Sequence, residues 1–385
     1  MQRPVSVCLK YLCAQLEQLL SCLRQFMGNV LIRVCQPQQN LSTRKVYNCC
    51  ILSVQCDMIS NQTSDLSIGV VIPARNAEDT LPVCIDALIA AGFAREFIYL
   101  VDDNSSDGTA QVALSRGVHV VTNSKNCGAA AARNTGAQSL STDVLLFVDA
   151  DVEVAKDVRQ RFLDHFEVKG HDAVFGSYDD APHRQETVSR LRNLLHHTTH
   201  QKFSGPVATF WTGLGAVRRD VFEAAGGFDA EQRMLEDIEF GLRLSAKGCT
   251  IFLDPDIQGK HWKYWDLKSM IKTDIWDRAI PWTKLLMSPL GRESVGALNV
   301  SLSGKISVLA SFACAFSVLL AIFTPWTALA TLLAGLSTLC LFNLEFLSCI
   351  LRLDGWRQIP NATGVLLVHF LSAGLGYAAV RMRLA

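Results

Sequence analysis

Two groups of carboxylates carry most of the chemical information in this chain. Leu100-Val101-Asp102-Asp103-Asn104-Ser105-Ser106-Asp107-Gly108 and Leu145-Leu146-Phe147-Val148-Asp149-Ala150-Asp151 each place acidic residues directly after an apolar run. Such runs read as strands of a parallel sheet buried on both faces. Ligands of these sheets bind beyond the carboxyl ends of the strands. Hard divalent cations take oxygen ligands, and Mg²⁺ or Mn²⁺ commonly bridges one or two carboxylates to substrate phosphates. The two acidic ends therefore predict one shared site for a phosphate-linked substrate and a metal.

Three further segments flank that site. Ile72-Pro73-Ala74-Arg75-Asn76-Ala77-Glu78 follows the first strand and opens a helix. Backbone N–H groups at a helix start can receive a base, ribose or phosphate, which puts Pro73, Arg75, Asn76 and Glu78 at the nucleotide end. In the Asp102 segment, Asp103 is expected to face ligand, Asp107 serves the turn, and Asp102 fits either role. In Asn126-Cys127-Gly128-Ala129-Ala130-Ala131-Ala132-Arg133-Asn134, Gly128 allows close backbone approach. Arg133 then either braces the nucleotide site or pairs with an acidic residue there. Glu236-Asp237 opens a helix over Ile238–Ala246, where the macrodipole alone favours acidic residues.

The elements that must position these residues alternate in the α/β manner over 65–255. Strands are expected at Ser67–Ile72 (stopped by Pro73), Phe97–Val101, Val118–Val121, Val144–Val148 and Thr250–Leu253. Helices are expected at Glu78–Ala91, Thr109–Arg116, Ala129–Gln138 and Val154–Phe166. His196, His197 and His200 share a helix and read as solvated or interfacial, since no acidic residue completes a zinc motif. Residues 256–300 mix Trp262, Trp265, Trp276 and Trp282 with lysines and arginines, which suits a membrane interface. Residues 306–323, 326–342 and 364–380 are uncharged apolar stretches near the lower limit for a bilayer crossing. Leu344–Leu353 reads as an interfacial or re-entrant segment. Lys305, Arg352 and Arg357 fit a cytosolic catalytic domain, although three spans would place Arg381 and Arg383 outside.

Composition agrees. The chain has 385 residues, more than one ordinary domain, and 36 basic against 36 acidic residues, which excludes the basic footprint of a nucleic-acid binder. Mean hydropathy is positive, and the apolar excess lies beyond Lys305. Of 13 cysteines, seven precede residue 60 and none forms paired CxxC motifs, so cytosolic thiols are expected rather than zinc or disulfides. Residues 1–64 differ from the rest, with an amphipathic stretch at Tyr11–Ile32 and a polar tail, and Met58 is a possible natural start.

The succession Pro73-Ala74-Arg75-Asn76, Asp102-Asp103-Asn104-Ser105, Gly128 to Arg133-Asn134 and Asp149-Ala150-Asp151 resembles the family-2 glycosyltransferases of GT-A fold, over roughly residues 67–285. The resemblance implies an α/β GT-A nucleotide-diphospho-sugar transferase fold, a mixed sheet flanked by helices, followed by transmembrane helices. It implies that Asp103 contacts the base of a nucleotide sugar. Asp149, Ala150 and Asp151 would be the family's DxD, with Asp149 and Asp151 holding Mg²⁺ or Mn²⁺ on the diphosphate. His261 would be a late histidine near metal or diphosphate, or else structural. Thr212-Gly213-Leu214-Gly215 resembles the acceptor-side segment, Asp237 the catalytic base, and Glu236 its support. The expected activity is membrane-bound inverting transfer from a nucleotide-diphosphate sugar to a lipid-linked or glycan acceptor. Processive synthases carry Gln-x-x-Arg-Trp where this chain reads Asp277-Arg278-Ala279-Ile280-Pro281-Trp282, which favours single-sugar transfer over polymer synthesis. A sugar nucleotidyltransferase would need a basic Gly-rich loop that Asn76-Ala77-Glu78-Asp79 lacks. An inactive membrane scaffold is the non-enzyme alternative.

Overall fold

The computed structural model describes residues 66–293 and 301–384. The amphipathic leader, the Met58 start and the early cysteines lie outside the described residues.

Among the described residues, eight strands and six α-helices precede the helix that opens with Glu236-Asp237. They are β1 (Ile68–Ala74), α1 (Leu81–Ala90), β2 (Ile98–Asp102), α2 (Thr109–Ser115), β3 (His119–Thr122), α3 (Ala129–Ser139), β4 (Val144–Val148), β5 (Val152–Val154), α4 (Val158–Leu163), β6 (Ala173–Tyr178), α5 (Thr187–Lys202), β7 (Gly205–Val207), β8 (Leu214–Arg218) and α6 (Arg219–Ala225), counting β8 as the strand that precedes α6. Then follow α7 (Glu236–Ala246) and β9 (Ile251–His261). One nine-stranded sheet runs β3-β2-β1-β4-β8-β6-β9-β5, with β7 also on β9. β1, β2, β3 and β4 are mutually parallel and β8 is antiparallel to β4. The carboxyl ends of the parallel strands therefore deliver Arg75, Asp103, Asn123 and Asp149 to one edge. Alternate residues of each central strand fill cores on opposite faces: Val70, Ile72, Leu146 and Val148 on one, Val71, Leu145 and Phe147 on the other. This two-sided burial is why the runs read as unbroken apolar sequence.

Three expectations need correction. β1 continues through Pro73 to Ala74, because its ladder to β4 has already ended at Val71↔Phe147 while the β2 ladder runs on to Ala74↔Asp102. A missing N–H is tolerated where one side of the strand is open. Val152–Val154 is a strand rather than the start of a helix, since Val152 pairs with His261 and Val154 with Gly259. The last strand also extends beyond Leu253 to His261, crossing β6 with a register shift between Phe175 and Ser177.

Beyond β9 the Asp266–Ser269 capping box starts α8 (Leu267–Lys272), which runs into a π-helical stretch Thr273–Ala279, then α9 (Ile280–Met287) and α10 (Pro289–Glu293). Among the described residues three helices are long and apolar enough to cross a membrane: α11 (Leu302–Leu320), α12 (Pro325–Phe342) and, after the amphipathic α13 (Leu344–Asp354), the segment Trp356–Arg381 containing α14 (Ile359–Arg381). Phe323 and Trp326, at the α11–α12 turn, are 81% and 82% exposed, as expected of side chains meant for lipid rather than water. The third segment starts earlier than the apolar run at Gly364 suggests, because Pro360 at its first turn and the preceding Trp356–Gln358 turn begin the helix among polar residues.

Residues Ser64–Ala385 form one compact unit. Leu191 and Leu194 of α5 and Met270 of α8 share a core with Phe346, Leu347 and Ile350 of α13 and Val365 and Leu366 of α14. Thus α13 is seated against α5 and α8. Helix α14 also approaches the π-helical stretch closely: a Cβ on Gly376 would stand 2.4 Å from the Ala279 Cβ. Replacing Gly376 by Val should therefore force the two elements apart, at about 1–3 kcal/mol for an overpacked contact. The expected readout is a lowered thermal midpoint in detergent, with Gly364→Val, where a Cβ meets nothing within 4 Å, as the harmless control.

Candidate active site

At the nucleotide end, three of the expected ligand residues are engaged within the chain. Asn76, in a left-handed conformation at φ 52°, accepts from the Ser106 N–H (2.8 Å), while its own N–H donates to Ser105 Oγ (2.9 Å). Glu78 accepts from the Gly108 N–H (2.7 Å) and its N–H donates to Asp107 (3.2 Å). These bonds lace the β1 loop to the β2 loop. Asp103 is buried and accepts from Asn123 Nδ2, Cys127 N–H and Gly128 N–H, each at 2.8 Å. Its carboxylate thus has most of its acceptor capacity filled and fixes the entry to α3. Arg75 stays exposed, Pro73 is partly buried in β1, and Asp102 accepts from Ser105 N–H (3.0 Å) as a turn residue. The several donors to Asp107 hold its carboxyl below the ordinary carboxylate range against a burial penalty.

Asp149 and Asp151 stand at the mouth of a cleft, with the small Ala150 buried between them. Arg133, on α3, crosses beneath: Nη2 donates to Asp149 Oδ1 (2.8 Å) and Nη1 to Glu236 Oε1 (2.5 Å). The guanidinium is 5% exposed, and its two carboxylate partners with Asp237 outweigh burial and keep its pKa above the ordinary value. Arg133 therefore takes the acidic-pairing role. Glu236 is likewise buried, serving as the far anchor of Arg133.

Asp237 follows in the first turn of α7. Leu235, just before it, holds φ 66°, a left-handed conformation costly for a branched side chain. Thr212 N–H and Oγ1 lie 3.4 and 3.5 Å from Asp237 Oδ2. Burial first, then the charge of Glu236, pushes the Asp237 carboxyl up to about 7 against the pull of Arg133. The glycines after Thr212 make room for protein rather than only for sugar: a Cβ on Gly213 would stand 2.2 Å from the Trp211 ring.

His261 reaches the site from the end of β9. Its Nδ1 pairs with Asn193 Oδ1 (2.6 Å), its ring stacks on Tyr178 at 4.1 Å, and its Nε2 lies 3.5 Å from Asp151 Oδ2. The Trp262 N–H donates to the Asp151 carbonyl (2.9 Å), locking the strand end to the acidic turn. Burial pushes the Asp151 carboxyl up, but His261 and then Lys263 more than offset it and hold the carboxyl below its ordinary value. When His261 is neutral with Nδ1–H donating to Asn193, its Nε2 lone pair and the Asp151 oxygen converge on the same space. An oxygen and an imidazole nitrogen are ligand types that Mg²⁺ or Mn²⁺ accepts, with few protein ligands and a shell completed by water and phosphate. Among the described residues no group of three or more His, Cys, Asp or Glu side chains is gathered as a metal site, so a cation here would draw its remaining ligands from phosphate and water.

The rest of the lining is basic and aromatic. Arg192 and Asn193 of α5, Lys263, Trp265 and Arg278 line the cleft with Tyr178 and Trp211. Its enclosed part measures about 120 Å³, so a nucleotide sugar would have to lie across the open front. Of this lining, sequence reading had singled out only Arg278 and, for the interface, the tryptophans. Trp265 is buried and lines the cleft, whereas Trp262 stacks on His183 at 3.5 Å and donates to Glu153 of β5. Trp276 is 62% exposed, as an interface residue would be. The solvated reading of the histidines is also corrected. His197 and His200 are buried, with Nδ1 atoms against the Tyr178 and Gly176 carbonyls (2.7 and 3.1 Å), and burial holds His200 down at about 4. A usable signal existed: Arg192, Asn193, His196 and His200 follow i, i+1, i+4, i+8, a single polar helix face.

The acidic edge of a mixed sheet closed by antiparallel β8 defines a GT-A fold. Residues 69–226 match the family model "Glycosyl transferase family 2". Over 197 residues the chain is 33% identical to 4,4'-diaponeurosporenoate glycosyltransferase of Staphylococcus haemolyticus, covering 46% of this chain and 50% of that protein. It is 28% identical over 170 residues to undecaprenyl-phosphate 4-deoxy-4-formamido-L-arabinose transferase of Yersinia pestis, covering 41% and 50%. The chain thus spans about half the length of these curated relatives. In fold it resembles the mannosyltransferase PcManGT of Pyrobaculum calidifontis, solved in complex with GDP-Man and Mn²⁺ (TM-score 0.50, 15% identity, 86% of this chain and 94% of that one). The family-2 glycosyltransferase match thus lies on the sheet domain, and three apolar helices follow it among the described residues.

Removing Arg133 would strand Glu236 in the interior. Arg133→Met should cost about 3–5 kcal/mol, the range for breaking a buried ion pair from one side. Arg133→Lys should recover part of this, since an ammonium cannot fork to both carboxylates. Chemical denaturation followed by circular dichroism checks both.

Proposed function

We propose that the protein transfers one sugar from a nucleotide-diphosphate donor to an acceptor hydroxyl at a membrane surface, with inversion at the anomeric carbon. The observation that carries this reading is a cleft lined by Asp149, Asp151 and His261, with Asp149 tied through Arg133 to Glu236, the residue directly before Asp237. Asp237 takes the proton of the acceptor hydroxyl as its oxygen attacks the anomeric carbon. The bond from that carbon to the diphosphate oxygen breaks, and its electron pair leaves with the nucleoside diphosphate. A base raised to about 7 is matched to proton transfer near neutrality, a contribution of roughly 10²–10⁴-fold. Asp149, Asp151 and His261 would hold the divalent cation, which supplies charge neutralisation for the diphosphate. Arg192, Lys263 and Arg278 face the same space and add positive charge where the leaving group becomes more anionic. Asp103, Asn76, Glu78 and Gly128 shape the nucleotide end through the loops they tie together, with Arg75 exposed for direct contact.

The membrane-side acceptor rests on the apolar helices and on α13 and α14 packing directly against α5 and α8. A multi-pass protein with its catalytic domain in the cytosol fits Lys305, Arg352 and Arg357 at the helix ends. The acceptor class is a lipid or lipid-linked glycan; two of the relatives named above act, by their names, on such apolar acceptors. Arg278 favours a second reading. It is half-buried and makes no ion pair among the described residues, so the acceptor nucleophile could be a phosphate oxygen, which needs no base.

The pH profile separates the two. With a hydroxyl acceptor, kcat/KM should fall about tenfold per unit below pH 7, because protonating Asp237 removes the base. Asp237→Asn should then lose at least about 100-fold in kcat and lose the acid limb. With a phosphate acceptor, Asp237→Asn would retain most of its rate. The assay is diphosphonucleoside release with Mn²⁺ or Mg²⁺ across UDP- and GDP-sugars, and chelation by EDTA should abolish it. A full donor and acceptor panel with no release or transfer would overturn the reading.

A further inference from the structure

A buried ionic cluster connects the cleft to the third apolar helix. Arg192 lines the cleft from α5 and lies over the Trp265 ring at 5.8 Å. Away from the cleft, its Nη2 is paired with Asp274 Oδ1, in the π-helical stretch, and its Nη1 is 3.1 Å from His369 Nδ1. The same His369 nitrogen is 2.9 Å from Asp274 Oδ2. His369 lies at mid-length in α14, between apolar residues, and Asp274 is only 2% exposed. A titratable residue at that depth of an apolar helix needs a partner inside the bundle. Here both partners belong to the catalytic domain.

We propose that His369, with Asp274, is a positioning pair that fixes the guanidinium of Arg192 at the membrane-side wall of the cleft, so that the third apolar helix forms part of the active site. The inference rests on the transfer reading above. Two features support it beyond the contacts themselves. Burial and the neighbouring Arg278 both disfavour charge on Arg192, lowering it to about 10, and Asp274 is the acidic partner that opposes them. The seat is also preformed in the backbone, because Gly376 and Ala279 bring α14 against the stretch that carries Asp274 and Arg278. A single nitrogen of His369 faces both a donor and an acceptor. In one tautomer it accepts from Arg192, and in the other it donates to Asp274. Whichever it takes, the ring fills the third corner of the cluster and limits how far Arg192 can swing.

The roles separate by substitution. An asparagine at this position offers an oxygen to Arg192 and an amide N–H to Asp274, whereas a phenylalanine fills the space and offers neither. The full chain is compared as parent, His369→Asn and His369→Phe in phosphatidylcholine nanodiscs. The donors are UDP-glucose, UDP-N-acetylglucosamine and GDP-mannose with Mn²⁺, and the acceptors are an isoprenoid phosphate and diacylglycerol. Hydrogen exchange over residues 265–280 is read on the same samples without substrate. The expected result is a kcat lowered tenfold or more in His369→Phe, with acceptor KM within twofold of the parent, and with His369→Asn close to the parent. Exchange should be faster in the phenylalanine variant only. If His369→Phe matches the parent, or His369→Asn loses as much as His369→Phe, the positioning role is overturned. If the parent transfers nothing, the transfer reading fails by itself. In that event, faster exchange confined to His369→Phe would uphold the pair as the seat of Arg192, and unchanged exchange would overturn it.

Discussion

The site depends on one buried guanidinium. Arg133 joins Asp149, at the end of a parallel strand, to Glu236, at the start of a helix more than a hundred residues later. Neither carboxylate is a comfortable neighbour for the other, and Asp237 adds a third negative charge nearby. Removing charges from water costs several kcal/mol per ion unless geometry and hydrogen bonds restore the loss. A forked cation meets that requirement for two acids at once, which a lysine does not. The consequence is an ordering of the acids. Asp149 and Glu236 are tied to Arg133, whereas Asp237 is left with burial and like charge and is raised toward neutrality. The same contact that builds the site thus divides its carboxylates into those paired with Arg133 and one, Asp237, left unpaired with it.

The rest of the catalytic domain brings the two ends of that bridge together. Loop bonds among Asn76, Glu78, Ser105, Ser106 and Asp107 fix the carboxyl ends of β1 and β2 relative to each other. Asp103 fixes the entry to α3 and hence the height of Arg133. On the far side, β9 carries His261 to Asp151 by pairing with β5, the short strand that immediately follows the acidic turn. Leu235 is held in a left-handed conformation where the chain enters α7. Strain of this kind costs about 1–3 kcal/mol and persists where the surroundings over-determine it. The Arg133–Glu236 bond and the first-turn position of Asp237 are those surroundings.

Much of this was legible in the sequence because its signals are local. An apolar run ending in Asp-Asp or Asp-Ala-Asp marks both a buried strand and its open end, and β2 and β4 fall within a residue of where the runs place them. The order of the motifs pointed to the GT-A fold for the same reason. What was not legible depends on long-range pairing. Asp103 looks like a ligand residue until the donors around it, 20 to 25 residues away, are counted. The extension of β9 to His261 and the strand at Val152 are each visible only once the two are paired. The polar face of α5 was obscured because histidines drew attention to metal spacing, while the physical signal was one buried stripe shared by Arg192, Asn193, His196 and His200.

The membrane helices are part of the same problem of charge in a poor solvent. Basic side chains that line the same cleft as Asp149 and Asp151 would collapse into ion pairs with them if they were free to move. Arg192 is prevented from doing so because its guanidinium is held from behind by Asp274 and His369. Arg278 sits on the π-helical stretch that α14 supports, and it makes no ion pair among the described residues. Irregular helical turns of this type change the direction of a side chain without ending the helix, and they concentrate at functional sites. A soluble domain would have to supply that backing from its own core. Here α14 supplies it through His369 and Gly376, so the third apolar helix and the cleft residues share one packing.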